Sequence, residues 1–361
     1  MTTENPTDRI DVLLLAAGLG TRLQPLTSEI PKALLPVCGL PMLDAQLVRL
    51  LSPQRPQVNR VIINLHHLAD QVRRHVNAIA FPLESARRSA LARGRAAATR
   101  YESWIEFSEE PEILGTGGAI AKAAARLQGD PVVVLNADAF FPAPVEEAVA
   151  FHRSRDFVAT MVVMPSPYWP NVMIKGDLVA DILPSPHRTE GYTFTGLHVV
   201  SRRLFDFLPA RGFHDIRDTY RALIKSGSLG AFPWPGRRDT PPAAVPVFLD
   251  IGTPETYLDA HRLCAQQDNP LLEIQTTARR MGLARASSWD IRRFRPYLYG
   301  FIDPDARIGA NVTITESVVF AGADIAPASS LRRCIIGPGV HVSGSVQNLL
   351  LTTKGRREIH G

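Results

Sequence analysis

Residues 11–43 read DVLLLAAGLGTRLQPLTSEIPKALLPVCGLPML. Val12 to Ala17 form an apolar run long enough for one buried parallel strand and far too short for a membrane span. Gly18-Leu19-Gly20-Thr21-Arg22 follows at once. Two glycines let the backbone turn tightly and bring N–H groups near an anion, and Arg22 adds a forked cation at the same place. Pro31-Lys32 supplies a second, compact positive charge, and Pro41 stands where a helix would begin. A Gly-x-Gly alone fits a bland tight turn as well as it fits a phosphate loop. Strand, glycines, Arg and Pro-Lys in one order and at close spacing are far more specific. The Gly-Lys-Ser/Thr of a P-loop is absent, and so is the third glycine of a dinucleotide fingerprint.

Outward from this stretch, Met42 to Leu51 reads as an amphipathic helix stopped by Pro53 and Pro56. Arg60 to Leu65 reads as a strand and Leu68 to Ile79 as a helix. Such βαβα alternation predicts a parallel, three-layer α/β sheet. Residues 82–104 carry Arg87, Arg88, Arg93, Arg95 and Arg100 among alanines, which reads as an exposed helix. No aromatic residues are interleaved as nucleic-acid binding would require. Trp104 to Phe107 is a strand leading into Leu114-Gly115-Thr116-Gly117-Gly118-Ala119, where a flexible turn and a ligand loop are the alternatives. The strand before it and the helix start beyond it favour the ligand loop. Pro131 to Leu135 is a further strand ending in Asn136-Ala137-Asp138. An acid there points into the crevice of a parallel sheet, unless it caps the next helix.

Phe157 to Pro165 and Tyr192 to Val200 read as strands. Asn171 to Ile174 and Leu178 to Leu183 read as a hairpin about Gly176-Asp177. Phe205 to Leu208 and Asp215 to Ser226 read as helices. Asp250-Ile251-Gly252-Thr253-Pro254 closes a strand and opens a helix, with Thr253 as N-cap and Pro254 at the first position.

Gly18, Gly20, Thr21, Arg22, Pro25, Leu26, Thr27, Pro31 and Lys32 resemble the G-x-G-T-R-x-x-P-L-T and P-K signature of the sugar nucleotidyltransferases. The resemblance continues to about Ala265 and implies a Rossmann-like nucleotidyltransferase domain with a mainly parallel sheet. It implies nucleotide contacts from Leu15, Ala16, Ala17, Gly18, Gly20, Thr21, Gly115, Thr116, Gly117 and Gly118, with Arg22 and Lys32 as catalytic cations. It implies sugar-phosphate contacts from Asn136, Thr195 and Gly196, and metal carboxylates at Asp138 and Asp250 for Mg²⁺. Relatives carry Glu-Lys-Pro before the sugar segment, whereas this chain has Pro184-Ser185-Pro186-His187-Arg188. Arg188 is therefore the expected substitute, ahead of Lys175 or Lys225. The implied partners are an NTP, GTP favoured by the LGTGGA form, and a sugar 1-phosphate, mannose 1-phosphate first. Uridylyl or thymidylyl transfer to another sugar phosphate is the alternative, and a non-catalytic nucleotide-sugar sensor is the alternative of another class.

The 361 residues, 45% hydrophobic, suit two domains with a substantial core. Cys38, Cys264 and Cys334 lie far apart in sequence and match no zinc or disulfide spacing, which points to a reducing cytoplasm. The net charge of +5 suits anionic small substrates and equally an ordinary soluble surface. Ile302, Ile308, Ile314, Val319, Ile325, Leu331, Ile336 and Val342 recur at intervals of six and five. Such a hexapeptide period predicts a short left-handed parallel β-helix of roughly three coils, suited to homo-oligomer assembly. The expected plan is a disordered tail (1–9), the nucleotidyltransferase domain (10–268), a helical linker (269–299), the β-helix (300–353) and a tail (354–361). No nucleic-acid or membrane partner is expected.

Overall fold

The computed structural model describes residues 10–52, 57–93, 104–140, 142, 145–165, 170–183, 191–235, 248–264, 271–281 and 301–360. The chain forms two compact units that do not follow the linear plan. One takes residues 1–18, 53–66 and 91–248, the other residues 19–52, 67–90 and 249–361, so the chain leaves the first unit within the signature stretch. The expected tail at 1–9 and residues 282–299 of the expected linker lie outside the described residues.

The first unit is built on a nine-stranded sheet. Its strands are β1 (Ile10–Leu15), β2 (Val58–Leu65), β3 (Ile105–Glu109), β4 (Val132–Asn136), β5 (Ala159–Pro165), β6 (Val172–Lys175), β7 (Leu178–Ile182), β8 (Tyr192–Val200) and β9 (Leu229–Pro233). Across the sheet they lie in the order β3-β2-β1-β4-β8-β5-β9-β7-β6. The half holding β1 to β4 is parallel, with Val12 between Val61 and Val133. In the other half β8 runs antiparallel to both β4 and β5, and β6 and β7 form the expected hairpin. The sheet is thus mixed rather than mainly parallel. An apolar strand buried on both faces reads alike in either direction, so residue pattern could not reveal the reversal at β8.

Helices α1 to α7 span Met42–Leu50, Ala69–Arg93, Gly115–Ala123, Val145–Arg153, Ile216–Lys225, Pro254–Cys264 and Leu271–Arg280. In the first unit Leu13, Ile62, Val134, Met161 and Val163 from the sheet pack with Ile120 of α3 and Tyr220 and Leu223 of α5. Asp215 caps α5 by accepting the Arg217 N–H. Asp11, buried at the start of β1, accepts from Asn59 Nδ2 and from the Gln128 and Gly129 N–H groups, which satisfies a carboxylate that burial would otherwise penalise. His198 on β8 is fully buried with Nδ1 2.6 Å from the Tyr220 hydroxyl.

Two helix expectations are corrected in the second unit. Helix α1 is buried on every side rather than amphipathic, its Asp44 taken up by His75 Nε2 at 2.6 Å. Helix α2 does not end near Ile79 but runs on through Pro82, and Arg87 lies buried instead of on a solvated face. Arg87 Nη1 reaches Ser52 O at 3.4 Å, and burial lowers its pKa to about 10, still charged at neutral pH. Burial of Leu83 and Arg87 on one face holds the helix together past the proline, outweighing its lost N–H. Phe205 to Phe207 belong instead to a 3₁₀ helix, Arg202–Phe207, in the first unit, with Leu208 as its C-cap.

The C-terminal part of the second unit consists of three parallel ladders of short strands. Phe301, Val318, Ile335 and Leu350 stack in one, Ile308, Ile325 and Val342 in another, Ile314, Leu331 and Val346 in the third. The predicted repeat aliphatics Ile302, Ile314, Val319, Ile325, Leu331, Ile336 and Val342 line their common core. Residues 354–361 are not a simple tail, since Gly355–Glu358 pairs antiparallel with Leu349–Thr352 and covers the edge of the first ladder.

Arg87→Ala should cost about 2–3 kcal/mol of unfolding free energy in urea, whereas exposed Arg88→Ala should stay within about 0.5 kcal/mol. Burial lowers the His198 pKa to about 3, so the unfolded chain binds its proton first. This contribution is complete above about pH 6.5 and drains away as pH falls from there toward 3. The stability decline from pH 7 to 4 should therefore be shallower in His198→Gln than in the wild type, as urea titrations at each pH will show.

Candidate functional site

In the first unit the end of β1 is organised by one buried amide. Asn64, the penultimate residue of β2, accepts the Ala16 and Ala17 N–H groups on Oδ1 at 2.6 and 3.3 Å. Its Nδ2 donates to Glu110 Oε1 at 2.8 Å, and Glu110 Oε2 accepts the Leu114 N–H at 3.1 Å. Glu110 is itself anchored, its N–H on Leu65 O and its carbonyl taking the proton of His66 Nδ1. One side-chain chain thus joins the start of the signature loop to the glycine loop ahead of α3. Neither Asn64 nor Glu110 was among the predicted site residues. The available signal was a polar residue within one position of the end of each of two adjacent strands.

Gly115, Gly117 and Gly118 begin α3, and their lack of Cβ admits the chain at 212–214. A Cβ on Gly115 would stand 2.7 Å from His214 O, and one on Gly118 2.6 Å from Gly212 O. The Gly117 and Gly118 N–H groups both donate to His214 O, at 3.0 and 3.3 Å, while the His214 N–H donates to Leu114 O. These amides are therefore engaged by protein. Thr116, half-buried, is the member of the loop with a side chain to offer.

Asn136 ends β4 and sits against Gly196, whose positive φ of 81° forms a bulge in β8 opposite β5. A Cβ there would lie 3.0 Å from Asn136 Nδ2, so only glycine lets that amide take its place. Asn136 and Gly196, expected together at the sugar phosphate, do come together. Thr195 is buried and gives its hydroxyl proton to Val162 O. Asp138 lies half-buried in the turn after β4, where the preceding Ala137 N–H is held by Leu15 O at 3.0 Å. Arg188 lies outside the described residues, while Lys175 and Lys225 are exposed at the ends of β6 and α5.

In the second unit the rest of the signature folds as three successive 3₁₀ turns, Thr21–Leu23, Leu26–Ser28 and Lys32–Leu34. Gly20 caps the first in the left-handed region, φ 62°. Buried Thr27 donates its hydroxyl to Gly20 O at 2.8 Å. A Cβ on Gly20 would meet Thr27 Cγ2 at 2.7 Å and Lys32 Cβ at 3.3 Å, so Lys32 is drawn under the glycine turn. Thr21 and Arg22 are exposed. Arg22 extends toward the D-x-G-T-P segment, where a Cβ on Gly252 would stand 2.9 Å from Arg22 Nη2 and 3.1 Å from Asp250 Oδ1. Thr253 and Pro254 open α6 as expected, with Thr253 Oγ1 accepting the Thr256 N–H. Cys38 and Cys264, remote in sequence, are neighbours here. A hydrogen bond from Cys264 leads the effects that hold the Cys38 thiol low, against burial and with help from His261.

The nucleotidyl transferase family matches residues 11–267. The chain belongs to this family. Among its relatives, mannose-1-phosphate guanylyltransferase catalytic subunit beta of Xenopus tropicalis is 28% identical over 256 residues, 68% of this chain and 62% of that protein. Mannose-1-phosphate guanylyltransferase of Mycobacterium tuberculosis is 25% identical over 342 residues, 93% of this chain and 82% of the relative. The chain thus spans under two thirds of the first relative's length and most of the second's. The crystal structure of HddC from Yersinia pseudotuberculosis has the same fold, with TM-score 0.51 and 24% identity over 69% of this chain and 97% of that one.

Asn64→Ala should strand the Ala16 and Ala17 N–H groups and cost about 2–3 kcal/mol in urea unfolding. Asn64→Asp should cost more at pH 8, because two carboxyl groups would face each other without a donor, and should recover as acid supplies one.

Proposed function

We propose that this chain is a sugar-1-phosphate nucleotidyltransferase that joins GTP and mannose 1-phosphate to form GDP-mannose and pyrophosphate. The observation that carries the reading is the signature loop, in which Gly20, Lys32, Arg22 and the D-x-G-T-P segment are built around one another. The names of the family and of its relatives support the reaction class, and the guanylyltransferase relatives support the substrate pair.

A phosphate oxygen of the sugar 1-phosphate attacks the α-phosphorus of the NTP in line. The bond from that phosphorus to the β-bridging oxygen breaks, and its electron pair leaves with pyrophosphate. The attacking phosphate is largely dianionic at neutral pH, so no base must remove a proton. Both reactants are anionic, which makes charge neutralisation and alignment the main tasks of the protein. In this reading the backbone from Leu15 to Thr21 lies along the phosphates and Arg22 neutralises charge on the leaving pyrophosphate. Lys32 pairs with the α-phosphate or the sugar phosphate. Asn136 and Gly196 face the sugar phosphate, with Thr195 contributing backbone only, and Thr116 with Gly115, Gly117 and Gly118 lies against the base.

Asp138 and Asp250 are the proposed holders of Mg²⁺, which when bound offsets phosphate charge. Among the described residues no group of three or more His, Cys, Asp or Glu side chains gathers as a metal cage. A two-carboxylate set suits an ion that keeps water and takes substrate phosphates as its remaining ligands. The C-terminal ladders are, in the same proposal, a left-handed parallel β-helix that serves homo-oligomer assembly.

Pyrophosphate release should require one NTP and one sugar 1-phosphate together, with GTP and mannose 1-phosphate the productive pair in a panel of four NTPs. Silence across the panel with GDP-mannose still bound would favour a sensor. Arg22→Ala should lower kcat by ~10²-fold or more. Asp138→Asn and Asp250→Asn should each abolish Mg²⁺-dependent turnover, and a fully active variant would remove that residue from the metal set.

A further inference from the structure

The last residues of the chain reach back to the signature loop within the second unit. Thr353 Oγ1 donates to Glu29 Oε1 at 2.7 Å, and the Lys354 N–H donates to the same oxygen at 3.1 Å. Lys354 Nζ donates to Ser28 O at 2.7 Å, and Arg357 Nη1 donates to Arg22 O at 2.6 Å. Three residues further on, the His360 N–H donates to Glu255 Oε1 at 3.1 Å, in the first turn of the helix that follows Asp250. The hairpin is shaped for this contact by Thr352, whose hydroxyl accepts the Lys354 N–H and donates to Gly355 O.

Arg22 to Glu29 has only two 3₁₀ turns of its own. From the other side it is held by His67 Nε2 on Thr27 O and by Gln71 Nε2 on Glu29 O. The segment is thus gripped between the start of α2 and the C-terminal hairpin. Exposed polar contacts are individually weak. Here they converge on one short segment, and one of them ends on the carbonyl of Arg22 itself, the residue whose guanidinium reaches the Gly252 turn. A shift of the Arg22 backbone would carry that guanidinium with it.

We propose that Thr353, Lys354 and Arg357 are positioning residues, a C-terminal clasp that fixes the Arg22–Glu29 loop and so places the Arg22 guanidinium for the reaction. The role in turnover rests on the nucleotidyl-transfer reading, and the clasp itself does not. It gives the C-terminal ladders a duty beyond assembly, because their closing strand completes the setting of a catalytic cation. None of the clasp's four hydrogen bonds to the loop involves Asn136, Thr195 or Gly196, the proposed sugar-phosphate contacts, so binding of the sugar 1-phosphate should be spared.

The test compares full-length Arg357→Ala, Arg357→Lys, Glu29→Ala and Lys354→Ala with Arg356→Ala, whose side chain alternates to the other face of the strand. Amide hydrogen exchange over residues 21–30 should quicken roughly three- to tenfold in Arg357→Ala, as the loss of one such bond allows, and at least as much in Glu29→Ala, which loses two. Lys354→Ala keeps its backbone N–H and should show a smaller change, Arg357→Lys should recover part of the loss, and Arg356→Ala should match the wild type. kcat should fall by a similar factor with the KM for sugar 1-phosphate within twofold. Unchanged exchange in Arg357→Ala and Glu29→Ala overturns the clasp, and equal losses in Arg356→Ala overturn it in favour of general loosening. If the wild type turns over no substrate pair, the functional reading fails, and exchange alone upholds or overturns the clasp.

Discussion

The buried hydrogen-bond chain from Ala16 and Ala17 through Asn64 to Glu110 is the interaction on which the loops at the carboxyl edge of the first unit's parallel strands depend. An amide is the one side chain that fits its position, with an oxygen turned to two N–H groups and an NH₂ turned to a carboxyl oxygen. Beyond the end of β1 the Ala16 and Ala17 N–H groups, and beyond β3 the Leu114 N–H, turn to side chains. Asn64 and Glu110 satisfy them, and so hold the loops after β1 and β3 in one arrangement. In the proposed function this matters because a loop that receives a phosphate needs its N–H groups fixed before the anion arrives, reorganisation at that moment weakening every contact.

The second unit solves a related problem with different means. Its signature loop has no long helix or strand to stiffen it, so Thr27 is buried inside the loop and bonds back to Gly20 O. His67 and Gln71 grip it from the chain that follows β2, and the C-terminal hairpin grips it from the far end of the sequence. Glu255 shows the same economy of construction. Burial would raise its carboxyl, but hydrogen bonds from its own N–H, Thr253 and His360 and the charge of Arg357 hold it below the usual carboxylate range. The groups that follow the D-x-G-T-P segment and the groups that end the chain therefore stabilise one another.

The glycine loop before α3 illustrates how far spacing alone can be read. Three glycines in four positions read as a ligand loop, because missing Cβ atoms permit a close approach to the backbone. What comes close in this structure is the protein's own segment 212–214, whose His214 carbonyl takes the two N–H groups. A missing Cβ records an approach and does not record what approaches. The arginine run on α2 has the same character. Arg87 and Arg88 read alike in the sequence, yet the helical turn places one inside and the other outside.

Local chemistry was enough to locate the signature loop, the N-cap at Thr253, the β6–β7 hairpin and the repeat of inward aliphatics. Each depends on neighbours within a few residues, or on a period that the chain itself displays. The reversal of β8, the pairing of Cys38 with Cys264, the Asn64–Glu110 chain and the hold of Thr353, Lys354 and Arg357 on the signature loop were not legible in that way. Every one of them joins groups remote in sequence, and a polar side chain does not disclose its partner until folding brings the two within hydrogen-bond reach. Residue pattern marked out the glycine-rich segments proposed to meet phosphate, and tertiary structure alone decided what holds those segments still.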